Sequence, residues 1–200
     1  MNRRELLLAV ISTMGGVMVG SPTLRVIAGE APTATASRTV LQGRQPEMVS
    51  VLAEMIVPET DTPGAIEAGV PAFIGMMVAD WYTDAERTIF LDGLAELDAF
   101  CGGAYSSDFL GCSAEQRTAA LADAEKKASD YVSPLPPGFL AGMAKLIDER
   151  TPFFAKIKEL AVVGYLSSEI GARQELFYNP MPMRYDGDYD YARTGRQWSY

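Results

Sequence analysis

The sequence contains no histidine, and this absence narrows the chemistry open to the chain. None of its 200 residues is a histidine. Histidine is the usual general base near neutral pH and the commonest metal ligand, and it completes the C-x-x-C-H pattern that attaches haem. The chain therefore lacks the central residue of the most familiar catalytic triads, metal centres and haem attachment sites.

Basic residues and phosphate-binding motifs are also scarce. Lys and Arg number 17 against 26 Asp and Glu, which gives a net charge of -9. This charge opposes binding to the phosphate backbone of nucleic acids. The sequence has neither a G-x-G-x-x-G nor a G-x-S-x-G pattern, so it shows no nucleotide or flavin site and no hydrolase nucleophile elbow.

No apolar run reaches the roughly 20 residues that a membrane-spanning helix needs. The longest mildly apolar segment, Leu6 to Val19, follows the pair Arg3 and Arg4. Small residues come next, and Ala34-Thr35-Ala36 is typical of a signal cleavage site. We therefore predict that residues 1–36 are a twin-arginine signal peptide, which sends the folded chain to the periplasm. An uncleaved membrane anchor and a buried N-terminal helix are the alternatives.

The remainder favours one all-α domain. Hydrophobic residues make up 48% of the chain, which is enough for one core. Apolar residues recur at spacings of three and four, and strand patterns are rare. We predict a compact bundle of about six helices over residues 37–177, followed by an extended, aromatic-rich C-terminal tail over residues 178–200.

Two capping boxes mark helix starts. Thr83 with Glu86, and Ser113 with Gln116, have the spacing at which two side chains satisfy each other's free backbone N–H groups. They predict the beginnings of the third and fourth helices. The third helix is expected to stop at Cys101–Gly103, because glycine is a poor helix former.

Apolar spacing places the other helices. The first covers Pro46 to Ile56, and the second opens at Val70 with Trp81 on its inward face. The fifth covers residues 139–147. The sixth, Phe153 to Ser168, is the most apolar segment after the signal, so we predict that it lies at the centre of the bundle.

A loop rich in proline and hydroxyl side chains separates the first two helices. It covers Val57 to Ala65 and includes Pro-Glu-Thr-Asp-Thr-Pro-Gly. These residue types bond to their own backbone and favour ordered turns. Asp61 in this loop is expected either to cap the loop backbone or to bind a metal ion.

The only two cysteines are Cys101 and Cys112. In an oxidising compartment, a pair that brackets a glycine-containing turn favours a disulfide. Free thiols, a bond to a partner chain, and metal or redox chemistry are the alternatives.

The C-terminal tail is unusual in composition. Five of the 9 tyrosines lie from Tyr178 onward, with Trp198 and several arginines, and prolines interrupt any regular period. Tyr, Trp and Arg are enriched at the centres of protein interfaces. The tail aromatics are therefore expected to contact a partner chain or to pack back on the bundle.

Three segments resemble the gluconate 2-dehydrogenase subunit 3 family. They are Ile56 to Val70, Phe153 to Leu160, and Gly164 to Ala172. The ending is similar too, with Tyr178-Asn179-Pro180-Met181-Pro182 and then Tyr185-Asp186-Gly187. Asp188 stands where many relatives have a cysteine.

The resemblance implies a small, non-catalytic subunit with no cofactor of its own. The implied partners are a large FAD-dependent flavoprotein of the glucose-methanol-choline type, a possible cytochrome c subunit carrying haem c, and the twin-arginine translocation machinery. The implied reaction is the oxidation of a sugar or sugar acid in the periplasm, by a gluconate 2-dehydrogenase or an enzyme similar to glucoside 3-dehydrogenases. The candidate partner-interface residues are Asp61, Tyr165, Glu169, Tyr178, Tyr185, Tyr189, Tyr191 and Trp198.

A second hypothesis comes from a different class. The chain could act alone as a periplasmic helical domain that binds a small ligand or a quinone between its helices. The loop around Asp61 would then form the mouth of that site.

Overall fold

The computed structural model of the chain describes residues 40–134, 148–179 and 190–199, together with Met181, Met183 and Asp188. The predicted signal arginines Arg3 and Arg4 and the predicted helix over residues 139–147 lie outside these residues. The side chain of Tyr191 is also outside the description.

Within the described residues the fold is helical, which confirms the predicted all-α class. The elements are α1 (Gln45–Ile56), α2 (Val70–Met76), a π-helical turn (Met77–Trp81), α3 (Asp84–Tyr105), a 3-10 turn (Phe109–Gly111), α4 (Ala114–Ser129), α5 (Phe153–Ser167), a second π-helical turn (Gly171–Glu175), β1 (Phe177–Tyr178), α6 (Tyr191–Thr194) and β2 (Trp198–Ser199). In the described part of the chain, none of the helices combines the length and the apolar character needed to cross a membrane.

Both predicted capping boxes are present. The Thr83 hydroxyl accepts from the Glu86 N–H at 3.3 Å, and the Glu86 carboxylate accepts from the Thr83 N–H at 3.1 Å. Ser113 and Gln116 make the equivalent pair at the start of α4. Each box satisfies two backbone donors that a helix start otherwise leaves free.

The predicted end of the third helix is wrong. α3 continues through Gly102 and Gly103 to Tyr105 and ends at Ser106, whose φ of 54° is left-handed. One glycine in a helix costs only about 1 kcal/mol. The side chain of Cys101 is buried in the core, so tertiary packing at this end of α3 offsets the weak local preference.

The apolar helix α5 is central, as predicted. It packs against α1, α2, α3 and α4. Two glycines allow this close packing: a Cβ on Gly93 of α3 would lie 2.1 Å from Cγ of Phe153, and a Cβ on Gly164 would lie 2.6 Å from Cδ1 of Phe73. Neither contact is possible for a larger residue without displacing an aromatic ring.

Trp81 was predicted to face inward, and the structure corrects this. The side chain of Trp81 is 68% exposed. The π-helical turn closes with the Tyr82 N–H donating to the Met77 carbonyl at 3.0 Å. The wider turn adds one residue to the helical register. The half-buried Tyr82, rather than Trp81, therefore packs against Phe90.

A buried ion pair joins α5 to the start of α3. Nζ of Lys156 lies 2.9 Å from Oε1 of Glu86, and the two side chains are 3% and 6% exposed. The ammonium also lies 4.9 Å from the centre of the Tyr82 ring. Burial, followed by the nearby carboxylates of Glu159 and Glu86, raises the pKa of Tyr82. The same Glu86 closes the capping box, so one carboxylate serves both contacts.

A second, exposed pair ties the beginning of α1 to the turn between α3 and α4. The Arg44 guanidinium donates two hydrogen bonds to the Asp108 carboxylate, at 2.6 and 2.7 Å. Asp108 also accepts from the Gly111 N–H at 2.7 Å. The bond from Arg44 first, and the bond from Gly111 second, lower the pKa of Asp108 to about 2.

We predict that Lys156→Met destabilises the full chain by about 3–5 kcal/mol, because it leaves the Glu86 carboxylate buried without a counter-charge. The matched control is Lys158→Met on the same helix, where the exposed lysine lies 3.7 Å from Glu125 and its loss should cost less than about 1 kcal/mol. Urea unfolding followed by helical circular dichroism measures both. Adding Glu86→Gln to Lys156→Met should recover most of the loss, and equal losses in the two single variants would contradict a buried pair.

We also predict a specific acid dependence from Asp108. Its pKa falls from the ordinary 3.8 to about 2 in the folded chain, so its contribution to folding is complete above about pH 4 and is lost as the pH falls toward about 2. Asp108→Asn should therefore reduce the difference in unfolding free energy between pH 5 and pH 2. Asp92→Asn, at an exposed aspartate of α3, controls for the loss of one carboxylate. If Asp108→Asn leaves the difference in unfolding free energy between pH 5 and pH 2 unchanged, Asp108 is not the source of the acid dependence.

Candidate partner-binding groove

The loop from Val57 to Ala65 is ordered, and a carboxylate from α1 organises it. Glu54 accepts hydrogen bonds from the backbone N–H groups of Glu59 at 3.0 Å and Ile66 at 2.9 Å. Sequence reasoning gave Asp61 two alternative roles, as a cap of the loop backbone or as a metal ligand. In the structure Asp61 is exposed and accepts from the Thr60 hydroxyl at 3.2 Å. Glu54 was missed because it lies inside a helix, outside the loop that it stabilises.

Tyr165 connects this loop to the central helix. Its hydroxyl donates to the carbonyl of Pro63 at 2.8 Å, and it also lies 3.3 Å from the Thr62 hydroxyl. Only 4% of Tyr165 is exposed. The contact of Tyr165 with a partner stays a prediction. In the structure its side chain is enclosed by the fold, and its hydroxyl positions the loop.

The loop is also joined to the segment that follows α5. The Thr62 hydroxyl donates to Oε2 of Glu175 at 2.9 Å. The helix ends where the Ser168 hydroxyl donates to the Tyr165 carbonyl at 2.7 Å and accepts from the Gly171 N–H at 2.9 Å. These contacts bring the segments Ile56–Val70 and Gly164–Ala172, singled out in the sequence, into one hydrogen-bonded unit.

Beside this unit lies an open groove of about 770 Å³. α5 contributes Val162, Val163 and Leu166 to its lining, and the chain after α5 contributes Leu176 and the two aromatics discussed next. Val162, Val163 and Leu166 are 38%, 49% and 38% exposed. α5 thus buries one apolar face in the core and presents a second to solvent, although a helix that is apolar all round is normally enclosed.

The aromatic lining of the groove comes from the two ends of the tail. β1 and β2 pair in parallel, with Phe177 opposite Trp198 and Tyr178 opposite Ser199. The Phe177 and Trp198 rings meet edge to face with centroids 4.7 Å apart. Tyr178 and Trp198 both line the groove. The end of the tail is therefore held against its beginning.

A small charged cluster also lines the groove. Arg173 lies 3.4 Å from the Glu169 carboxylate, and both side chains are exposed. Its guanidinium carbon lies 5.7 Å from the centre of the Tyr178 ring. Exposed contacts of this kind add little stability, but they can orient a partner's charged groups.

The groove unites three of the predicted interface residues: Glu169, Tyr178 and Trp198. Tyr185 and Tyr189 lie outside the described residues, while Asp61 lies in the loop. Sequence reasoning missed Val162, Val163, Leu166 and Arg173. The high apolar content of α5 could have indicated the three aliphatic residues, but it was used only to predict that the helix lies at the centre of the bundle.

Cys101 and Cys112 belong to the hydrophobic core and not to the lining of the groove. Both are free and buried in the structure, and the neighbouring Cys112 contributes, after burial, to the raised pKa of Cys101. The disulfide between them stays a prediction.

Comparison with known proteins gives one assignment. No curated protein and no solved structure matches the chain. Residues 44–183 match the family described as gluconate 2-dehydrogenase subunit 3. This match covers more than half of the sequence and spans α1 to α5, the loop and the groove residues from Val162 to Tyr178, but not Trp198. The chain belongs to the gluconate 2-dehydrogenase subunit 3 family.

Proposed function

We propose that this chain is a non-catalytic small subunit whose groove binds the large, FAD-dependent subunit of a sugar or sugar-acid dehydrogenase. Family membership implies association with a dehydrogenase complex of the gluconate 2-dehydrogenase type. In the proposal, the flavoprotein is of the glucose-methanol-choline type and carries both FAD and the substrate site. A cytochrome c subunit with haem c would take the electrons onward.

The exposed apolar face of α5 is the observation that carries this proposal. Burying these aliphatic side chains against a partner would stabilise the complex by about 25 cal/mol for each Å² of apolar surface removed from water. Contiguous apolar surface of this kind on a folded chain marks an interaction site. Tyr178, Trp198 and Arg173 beside it are the residue types that dominate binding energy at interfaces.

The proposed occupant is an apolar segment of the large subunit rather than a small molecule. The groove is open along the outer face of α5, so a helix or extended strand can lie against Val162 and Leu166. The Glu169–Arg173 pair would face polar groups at the edge of that segment. The chain's net charge of -9 favours a partner surface with basic groups.

The proposed export role follows from the N-terminal sequence. Arg3 and Arg4 precede the apolar segment as in twin-arginine signals. The twin-arginine route moves folded proteins, so a small subunit bound to a folded, FAD-loaded partner would carry that partner to the periplasm. The complex would act there.

We predict that Val163→Glu weakens binding of the large subunit at least tenfold, because it places a charge in a desolvated apolar contact, a change of about 1.4 kcal/mol or more. The matched control is Val132→Glu, at another exposed valine that does not line the groove. Tagged variants co-expressed with the large subunit are purified, and FAD absorbance per chain is measured. Equal FAD recovery from both variants would count against the groove, and a wild-type chain that recovers no flavoprotein would favour the free-standing ligand-binding domain.

We further predict that changing Arg3 and Arg4 together to Lys keeps the large subunit in the cytoplasm. The paired guanidinium groups are what the translocation machinery recognises, and lysine lacks their planar donor geometry. Dye-linked sugar oxidation in periplasmic and cytoplasmic fractions measures the distribution. Arg25→Lys, at an arginine outside the pair, should leave activity in the periplasm. Periplasmic activity in the double variant would refute the escort role.

A further inference from the structure

The two cysteines close the turn that connects α3 to α4. Cys101 lies in the last part of α3, and Cys112 directly follows the 3-10 turn Phe109–Gly111. Cys101 is 0% exposed and Cys112 is 5% exposed. Both belong to one hydrophobic core cluster, and Cys112 is close enough to Cys101 to raise its pKa. The fold therefore places both sulfurs in the same buried cluster.

Non-covalent contacts already fix the turn between these cysteines. The Asp98 carboxylate accepts from the Phe109 N–H at 2.9 Å, and Asp108 accepts from the Gly111 N–H at 2.7 Å. From α4, the Arg117 guanidinium donates to the carbonyls of Phe109 and Leu110. The backbone of the turn is thus bound by one carboxylate from α3, one carboxylate of the turn itself and one guanidinium from α4.

This arrangement has a consequence for thiol chemistry. Groups that a fold holds close together react with each other at a very high effective concentration. Folding has already restricted their translational and rotational freedom, so the reaction itself does not have to. A dithiol held in this way forms an intramolecular disulfide far more readily than a mixed disulfide with a small thiol. A turn that is stable without the covalent bond also lets the chain fold while the cysteines are reduced.

We propose that Cys101 and Cys112 form a disulfide after the chain has folded, when it meets an oxidising compartment. The oxidant is the disulfide of a thiol–disulfide oxidoreductase or of a small thiol such as glutathione. This order of events rests on the proposed export of a folded chain, whereas the pairing itself rests only on the geometry of the turn.

The exchange proceeds in two balanced steps. The Cys112 sulfur, which is the more exposed, attacks the oxidant's disulfide, forms a mixed disulfide and releases one thiol. The Cys101 sulfur then attacks Cys112, forms the internal bond and releases the second thiol. The two protein sulfurs lose two electrons to the oxidant, and their two protons end on the released thiols.

Burial of Cys101 makes this reaction slow in the folded chain. Burial, followed by the hydrogen bond with Cys112, raises the pKa of Cys101 to about 11. Only the thiolate is reactive, so the second step, in which the Cys101 sulfur attacks, is slow in the folded chain. After oxidation, the same burial protects the bond from reductants.

The test uses the full chain purified from a reducing cytoplasm and equilibrated in glutathione buffers of graded redox ratio. Free thiols are alkylated in denaturant and counted by mass spectrometry. We expect two alkyl groups under reducing conditions, and neither an alkyl group nor a glutathione adduct under oxidising conditions. Two alkyl groups or two glutathione adducts in the oxidising buffer would overturn the pairing.

The role of the turn is tested with Asp98→Asn, which weakens the bond to Phe109. We expect its ratio of disulfide to dithiol, at a fixed glutathione ratio, to fall about tenfold. Asp92→Asn, at an exposed aspartate of the same helix, should match the wild type. Equal ratios in both variants would show that the polar contacts do not position the cysteines.

The order of events is tested by the same alkylation of the cytoplasmic precursor and the exported chain. Two free thiols in the precursor and none in the exported chain are expected. A disulfide already present in the precursor would overturn the proposed order. The glutathione experiment needs neither partner nor export, so failure of the proposed function would leave its result unaffected.

Discussion

The close packing of α5 among four other helices is the constraint on which the rest of the structure depends. Gly93 and Gly164 remove the two Cβ atoms that would push Phe153 and Phe73 away. Lys156 then fixes the helix along its axis, because its ammonium has a single buried carboxylate, Glu86, within ion-pair distance among the described residues. Removing one partner of a buried pair leaves an uncompensated buried charge, which disfavours any position of α5 that would separate Lys156 from Glu86. The location of α5 decides both what is buried and what is left exposed.

A chain of hydrogen bonds connects α5 to the residues that line the groove. Tyr165, on the buried side of α5, holds the loop from Val57 to Ala65 through the Pro63 carbonyl. The loop in turn holds Glu175 through Thr62. Glu175 ends the π-helical turn that leads into β1, so the positions of Tyr178 and, through strand pairing, Trp198 follow from the same helix. The segments Ile56–Val70 and Gly164–Ala172, which both lie within the family match, thus form one support for the groove.

The sequence predicted the features that depend on residues close together in the chain. It did not predict those that depend on contacts between distant residues. Both capping boxes were predictable, because their partners lie three residues apart and only one helix start satisfies them. The Glu86–Lys156 pair was not, since its members lie 70 positions apart and nothing local distinguishes Lys156 from Lys158. Trp81 was placed on the wrong face because the π-helical turn changes the period of 3.6 residues on which the prediction relied.

The groove illustrates a related limit. An amphipathic helix shows its buried face through the contrast with its polar face. α5 offers little such contrast, so its sequence predicts burial without saying which side the chain itself covers. Only the folded structure separates Ile157, Leu160 and Ala161, which the chain encloses, from Val162, Val163 and Leu166, which it leaves in part to solvent.

An exposed apolar face on a small domain favours aggregation in water. The rest of the chain must therefore be stable while that face is exposed. The domain must be folded well enough to present that face in one conformation before anything covers it. Here the core is anchored by glycine-mediated packing, the α3–α4 turn is fixed by Asp98, Asp108 and Arg117, and the loop is held by Glu54 and Tyr165. None of these contacts needs a disulfide or a cofactor to form. Under the proposed function, a chain assembled in this way can meet its partner in a reducing compartment, cover the outer face of α5 with it, and leave as part of a folded complex.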